Sequence, residues 1–189
     1  INLFGVSAKY IDHLKNEKFN SKNLDLSSVK IITSTGSPLA EDSFKYVYDN
    51  IKQDVHLASI AGGTDMVGCL VMGNLFSNVY KGEIQGQSLA IDVDIFTEDG
   101  KSTKDGEKGE LVVKQPFPSM PVKFWGDNTG EKYHNAYFTK FKNIWHHGDF
   151  IERTSNNGFI MRGRSDATLN PGGVRIGTSE IYQQVEDIE

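Results

Sequence analysis

The dipeptide Asn157-Gly158 is the sequence feature that most restricts how this chain folds. It is flanked by two short runs, at 150–152 and 159–161, and Asn-Gly in that setting predicts a β-hairpin. The two open ends of a hairpin are neighbours, so Asp149 and Arg164 are expected to lie together. A carboxylate can accept hydrogen bonds from a ribose diol, and a guanidinium can hold phosphate oxygens. A surface ion pair of little energetic value explains the same two residues.

The first part of the chain has the pattern of an α/β fold. Short apolar runs at 29–33 and 55–60 predict buried strands, and apolar residues at helical spacing between 40 and 51 predict a helix. Ser7 is expected to cap an earlier helix. This order predicts a parallel sheet, with the small-residue segments 34–38 and 61–65 at its carboxyl edge. Ligands bind at that edge in such sheets.

From about residue 82 the pattern becomes β-rich. Apolar and acidic residues alternate at 91–95, a further strand is expected at 109–114, and glycine-rich turns separate the runs. These features predict a small β-barrel or sandwich. The segment 116–143 is irregular and aromatic, which is typical of core. Boundaries near residue 80 and near Asp166 divide the chain into an α/β part (1–80), a β-rich part (81–165) and a hinge that begins a further domain (166–189).

Charge and cysteine content restrict the class of protein. A net charge of −5 does not favour a nucleic-acid or anionic-membrane partner, and no apolar run approaches the roughly 20 residues that span a bilayer. Cys69 is the single cysteine, which suits a reducing, cytoplasmic compartment. His146 and His147 have no further ligands at zinc spacing, so no zinc site is expected. The first residue is not Met and the last residues read as helix, so a fragment of a longer protein is expected.

Three motifs in the last third resemble those of a known family. They are Trp-His-His-Gly-Asp at 145–149, Gly-Arg-Ser-Asp at 163–166 and Gly-Gly-Val-Arg-Ile-Gly-Thr-Ser-Glu-Ile at 172–181. In this order they resemble the late signature motifs of the adenylate-forming acyl-CoA synthetase superfamily, and the stretch 119–138 is similar to its acetoacetyl-CoA synthetase branch. The resemblance extends from 36 to 180. It implies an ATP-dependent acid–CoA ligase that forms an acyl-adenylate from acetoacetate or a similar short acid, and then transfers the acyl group to CoA.

The resemblance also implies roles for individual residues. Gly62 matches a position in the acyl pocket where related acetyl-CoA synthetases carry Trp, and Asp65 matches a Mg²⁺ ligand, with Asp in place of the usual Glu. Gly173 matches a glycine near the CoA channel, and Asp166 matches the hinge. Thr64 and Arg175 would contact phosphate and so act in catalysis. The nucleotide-binding set implied for ATP or AMP is Gly36, Ser37, Pro38, Gly63, Thr64, Asp149, Arg164 and Arg175.

Two parts of the family's machinery are not found in this sequence. One is the triphosphate loop rich in Ser, Thr and Gly, and the other is the catalytic lysine of the C-terminal domain, so the isolated chain is expected to be inactive. Two alternatives remain open from the sequence. The parent is another acyl-CoA ligase or an amino-acid adenylation domain, or else the chain is a non-catalytic β-rich binding module whose motifs match by coincidence.

Overall fold

The computed structural model describes residues 1–167 together with Ile176, Thr178, Ile181, Gln184 and Val185. Two of the predicted site residues, Gly173 and Arg175, lie outside the described residues, as does most of the predicted segment 166–189. Within the described part, no helix has the length and apolar character needed to cross a membrane.

Three parallel strands form the first sheet, in the order β1 (Leu3–Ser7), β2 (Ile31–Thr35) and β3 (His56–Ser59). Helix α1 (Ala8–Asn16) follows β1, and the Ser7 hydroxyl accepts a hydrogen bond from the Tyr10 amide at 3.1 Å, which is the predicted cap. Helix α2 (Glu41–Tyr46) continues as a π-helical turn, Val47–Ile51. The predicted strand–helix–strand order and parallel pairing are confirmed, and β1 is an additional strand.

Both helices of this part bury apolar side chains against the sheet. Ile11 of α1 and Phe44 of α2 are almost inaccessible and share one core with Leu57 of β3. The helical spacing of apolar residues between 40 and 51 puts its apolar face on the strands, which is why this segment folds as a helix here. The packing of the helices on the sheet determines where the loops that follow β2 and β3 leave the sheet.

The rest of the described chain forms two antiparallel sheets. The smaller contains β4 (Ala61–Gly63), β5 (Gly68–Met72) and β6 (Gly86–Gln87), and the larger has the order β10 (Phe159–Arg164), β9 (Trp145–Arg153), β8 (Lys108–Val113), β7 (Val93–Phe96). Ile84 and Phe159 exchange backbone hydrogen bonds of 2.7 and 2.8 Å, which join the two sheets. A short helix, α3 (Glu131–Tyr137), lies in the segment predicted to be irregular.

The fold class is confirmed as a parallel α/β layer followed by antiparallel sheets, with one correction. The described strands do not close into a barrel, because β7 and β10 are the two edges of the larger sheet. Closure depends on how edge strands pair, and a local alternating pattern does not encode that. Both antiparallel sheets share one core, which includes Leu70, Leu111 and Trp145. The division at about residues 80 and 165 stays a prediction.

The aromatic segment contributes to this second core as expected. Phe117 is buried against Trp145 at a ring-centroid distance of 5.4 Å, and Tyr133 and Tyr137 of α3 pack against the same cluster. Trp125 differs, since its side chain is fully exposed. The segment therefore supplies the inner surface of α3 and a solvent-facing loop before it.

Candidate functional site

The β9–β10 hairpin brings Asp149 and Arg164 into contact. The two residues are paired across the strands, and Arg164 Nη1 donates to Asp149 Oδ1 at 3.0 Å. The same nitrogen donates to the His147 carbonyl oxygen at 3.2 Å, which holds the guanidinium along β9. The proximity expected from the Asn157-Gly158 signal is therefore observed. The connecting loop is longer than a two-residue turn, and Asn157 within it has a left-handed φ of +60°.

Irregular strand pairing sets the direction of the Asp149 and Arg164 side chains. The register shifts between Glu110 and Val112 where β8 meets β9, and again between Met161 and Gly163 where β10 meets β9. Bulges of this kind redirect side chains. Gly148 has a φ of +83°, and a Cβ there would lie only 2.8 Å from Arg164 Nη2. Glycine at this position thus permits both the backbone turn and the close approach of the guanidinium.

Asp149 lies in a polar pocket of low accessibility. Its exposed fraction is 7%, whereas the Arg164 side chain is 57% exposed. Burial raises the pKa of the Asp149 carboxyl, and the neighbouring His147 and Arg164 oppose this effect. The Trp145 indole donates to His147 Nδ1 at 3.3 Å, and His147 Nε2 lies 3.7 Å from Asp149 Oδ2.

The predicted small-residue segments leave the parallel sheet at one edge. β2 and β3 are adjacent, and the Ile60 amide donates to the Ser34 carbonyl at 2.9 Å. The turn at 36–38 follows β2, with Gly36 at a φ of +85°, and β4 follows β3 directly. Gly62 and Gly63 are strand residues rather than loop residues, while Thr64 and Asp65 lie exposed in the turn between β4 and β5.

The β4–β5 turn lies beside the β9–β10 hairpin. A Cβ placed on Gly63 would be 3.1 Å from His147 Cε1, and the Tyr137 hydroxyl donates to the Asp65 carboxylate. The Tyr137 ring stacks on Trp145 of β9 with centroids 3.6 Å apart. The structure thus groups Gly63, Thr64 and Asp65 with Asp149 and Arg164. The turn at 36–38 follows β2, which is paired with β3, the strand that leads into this group.

Sequence reasoning missed two polar side chains of this group, His147 and Tyr137. The sequence presents His147 only as a candidate zinc ligand, whereas in the structure it contacts both Trp145 and Asp149. Tyr137 comes from a helix that was not predicted, and it reaches a carboxylate 72 positions away. The motif Trp-His-His-Gly-Asp contained the signal for His147; no local signal pointed to Tyr137.

The residues present suit one kind of Mg²⁺ site. Among the described residues, no cluster of three or more His, Cys, Asp or Glu side chains has a metal-binding arrangement. An all-protein cage is therefore not formed in that part of the chain. Nucleotide-bound Mg²⁺ needs only one or two carboxylates, because phosphates and water complete its shell. Asp65, exposed at the turn and beside the Asp149 pair, fits that requirement.

Two open depressions on the described surface lie away from the candidate site. One is lined by residues that include Phe96 and Phe150, and the other by residues that include Asn20 and Tyr48. Neither contains a predicted site residue. The candidate site is therefore identified by the chemistry of its grouped side chains and not by the depth of the surface.

Gly62 is packed too tightly to carry a side chain in this fold. A Cβ there would be 2.1 Å from the Gly68 carbonyl oxygen and 2.6 Å from Cys69 Cα, both in the backbone of the partner strand. We expect Gly62→Ala to lower the free energy of unfolding by about 1–3 kcal/mol, because the hairpin must shift to admit the methyl group. Urea unfolding of the chain measures this. Gly86→Ala, with nothing within 4 Å of its Cβ, is the matched control, and an equal effect of both would contradict the packing argument.

Comparison with known proteins identifies sequences similar to this chain. No family model matches the chain. It is 56% identical over 188 residues to acetoacetyl-coenzyme A synthetase of Rhizobium meliloti, covering 99% of this chain and 29% of that protein. It is 44% identical to acetoacetyl-CoA synthetase of Gallus gallus over 191 residues, covering all of this chain and 28% of that protein. The chain thus spans less than a third of the length of these relatives.

Solved structures agree with the sequence comparison. Acetoacetyl-CoA synthetase from Streptomyces lividans superposes with a TM-score of 0.89 at 38% identity, over 99% of this chain and 29% of that one. An anthranilate CoA ligase in complex with anthranoyl-AMP superposes with a TM-score of 0.80 at 18% identity, over 99% of this chain and 34% of that one, and this likeness shows the fold alone. The resemblance inferred from the motifs is confirmed: this chain is similar over nearly its whole length to acetoacetyl-CoA synthetases, of which it spans about 29%.

Proposed function

We propose that this chain is part of an ATP-dependent acid–CoA ligase that activates acetoacetate, or a similar short acid, as an acyl-adenylate and transfers the acyl group to CoA. The observation that carries the proposal is the buried Asp149 carboxylate, held by Arg164 beside the Thr64–Asp65 turn. The identity of 44–56% to acetoacetyl-CoA synthetases over nearly the whole chain supports it.

Each grouped residue has a role in this proposal. Asp149 accepts hydrogen bonds from the ribose hydroxyls, as a buried carboxylate on a rigid strand is suited to do. Arg164, more than half exposed, offers further donors to ribose or phosphate. Thr64 contacts the α-phosphate from the opposite side. Negative charge concentrates on that phosphate during acyl-adenylate formation, so donors and cations placed in advance supply most of the catalysis.

Other assignments extend the proposal beyond this group. Gly36, Ser37 and Pro38 would lie against the adenine ring, and Gly63 would let the backbone approach the ligand. Mg²⁺ would neutralise charge on the triphosphate, and Asp65 would bind it directly or through water. Arg175 would contact phosphate, Gly173 would line the CoA channel and Asp166 would form the hinge. A reducing, cytoplasmic setting is proposed from the lone Cys69.

The role of Gly62 in the acyl pocket needs a careful test. Its side-chain position is filled by the backbone of β5, so replacement with Trp would disturb the hairpin as well as any pocket. One extra carbon in a pocket is worth only about 1–3 kcal/mol, and the choice of acid therefore depends on several residues. The main alternative is that the parent protein is an acyl-CoA ligase for a different acid. Activity assays with competing acids distinguish these two possibilities.

We expect the full-length protein to release pyrophosphate from ATP when acetoacetate is supplied, with acetate as the competing acid. The isolated 189-residue chain is expected to remain at background, since the triphosphate loop and the catalytic lysine of the family are not in its sequence. A coupled pyrophosphate assay measures both. Turnover by the isolated chain would contradict the second expectation, and a full-length protein inert toward every acid tested would overturn the proposed function.

A further inference from the structure

Tyr137 connects three elements of the candidate site through one side chain. Its hydroxyl donates to Asp65 in the β4–β5 turn, and its ring stacks on Trp145 of β9 at 3.6 Å and an interplanar angle of 12°. Its own backbone belongs to α3. The stacking fixes the position of the ring, so the hydroxyl is delivered to the carboxylate at a defined place.

Two opposite charges, on Asp65 and Arg164, affect the pKa of the Tyr137 hydroxyl. Burial and the hydrogen bond to Asp65 raise the pKa of the phenol, while the positive charge of Arg164 opposes this rise. The phenol therefore keeps its proton at neutral pH. A phenol has one proton to donate and a carboxylate can only accept, so the direction of the bond from Tyr137 to Asp65 is determined.

We propose that Tyr137 is a positioning residue of the nucleotide site, whose hydroxyl holds Asp65, and with it the Thr64–Asp65 turn, against the β9 strand that carries Asp149. This inference rests on the proposed function and adds a residue to it. Asp65 is exposed and sits in a turn, where a free side chain would sample many rotamers. Because the Asp65 carboxylate is already fixed, less side-chain conformational entropy is lost when the nucleotide binds.

Tyr133 supplies a comparison within the same helix. It lies one turn before Tyr137, with ring centroids 5.5 Å apart, and also packs near Trp145. Its hydroxyl is buried and has no hydrogen-bond partner among the described residues. Removing the Tyr133 hydroxyl therefore alters the same aromatic cluster without removing a hydrogen bond to Asp65.

The test uses the full-length protein and AMP as the ligand. Tyr137→Phe keeps the stacked ring and removes only the hydroxyl, and Asp65→Ala removes the group that the hydroxyl holds. We expect each to weaken AMP binding, measured by calorimetry, by about three- to tenfold, because the turn that carries Thr64 is then held less firmly beside the α-phosphate. The double variant is expected to bind no more weakly than Asp65→Ala, since Tyr137 acts through Asp65. Tyr133→Phe is expected to bind AMP as the wild type does.

Steady-state kinetics and thermal unfolding separate positioning from a purely structural role. Tyr137→Phe is expected to raise KM for ATP with kcat changed less than about twofold, and to unfold within a few degrees of the wild type. Additive losses in the double variant, equal losses in Tyr133→Phe and Tyr137→Phe, or unchanged AMP affinity with lowered thermal stability would each overturn the assignment. A wild type that binds no AMP would overturn the proposed function itself, an outcome distinct from these three.

Discussion

Replacing Asp149 with asparagine is expected to weaken AMP binding by the full-length protein by about 10- to 100-fold. A carboxylate that accepts from two ribose hydroxyls makes charge-assisted bonds worth about 1.5–3 kcal/mol each, and asparagine keeps the shape while losing the charge and one acceptor. The comparison with 2′-deoxy-AMP makes the measurement specific. The wild type should lose affinity when the 2′-hydroxyl is removed, and Asp149→Asn should lose much less. Additive losses would mean that Asp149 does not touch the ribose.

The same substitution is expected to leave the protein at least as stable at neutral pH. Because the pKa of Asp149 is raised in the folded state, ionisation of this carboxyl costs stability as pH rises through its unfolded value near 3.8 toward its folded value. The neutral amide of the Asp149→Asn variant carries no such cost. The unfolding temperature of the variant relative to wild type should therefore increase between about pH 4 and neutrality, which thermal unfolding at several pH values measures.

Asp94 is the matched control for this pH dependence. It is as buried as Asp149 and lies in the same sheet. Burial raises its pKa, yet hydrogen bonds from Ser102 and the Ile95 amide and the charge of Lys114 lower it below the usual value overall. Its stabilisation is present above the unfolded pKa and is lost as pH falls through the folded pKa. Asp94→Asn should therefore destabilise at neutral pH and leave AMP affinity unchanged. The same sign of stability change in both variants would contradict the electrostatic account.

Replacing Glu110 with alanine is expected to cause the largest loss of stability, about 3–5 kcal/mol, because it breaks a buried charge network. Glu110 has an exposed fraction of 0% and accepts from Lys140 Nζ at 2.6 Å, while His146 Nε2 lies 2.9 Å from its second oxygen. The Ser165 hydroxyl also donates to that oxygen, next to the end of β10. Without the carboxylate these partners lose their acceptor.

Fluorescence of the two tryptophans offers a clean measurement of this loss. Trp145 is 2% exposed and reports on the core, whereas Trp125 is fully exposed, so a Trp125→Phe background isolates the signal. Urea unfolding of the chain then compares Glu110→Ala with Glu110→Gln, which keeps one acceptor oxygen and should lose less. Asp99→Ala, which removes an exposed ion pair with Lys101, should produce no measurable change. A Glu110→Ala variant as stable as the wild type would show that the network contributes nothing.

The contact between Asp149 and Arg164 was predictable because hairpins are local. A turn signal and two flanking runs specify which residues face each other, and the pairing was observed across β9 and β10. The parallel pairing of β2 with β3 was predictable for a similar reason, since a helix of sufficient length between two strands leaves few topologies. The roles of the motif residues in ligand binding were inferred from the family resemblance and stay predictions.

Features that depend on distant contacts were not predictable in the same way. Strand β1 has only five residues, and its pairing with β2 depends on a chain segment 28 positions away by the Leu3 to Ile31 register. Helix α3 is capped by Gly130 at a φ of +75° and has no buried residue, so its apolar pattern is weak. The approach of Tyr137 to Asp65 requires α3, the β4–β5 turn and β9 to be assembled together. Such contacts follow from packing of the whole sheet pair.

The backbone hydrogen bonds between Ile84 and Phe159 join the two antiparallel sheets that carry the candidate site. One sheet carries Asp65, the other carries Asp149, and this two-bond bridge is a joint between them. A bridge of one residue pair joins two sheets with far fewer hydrogen bonds than a ladder does. Glu83, beside the joint, accepts from Thr154 Oγ1 at 2.8 Å and thereby stiffens it. The Ile84–Phe159 bridge is thus one of the contacts, at the far end of β10 from Arg164, that hold Asp65 and Asp149 in their relative positions.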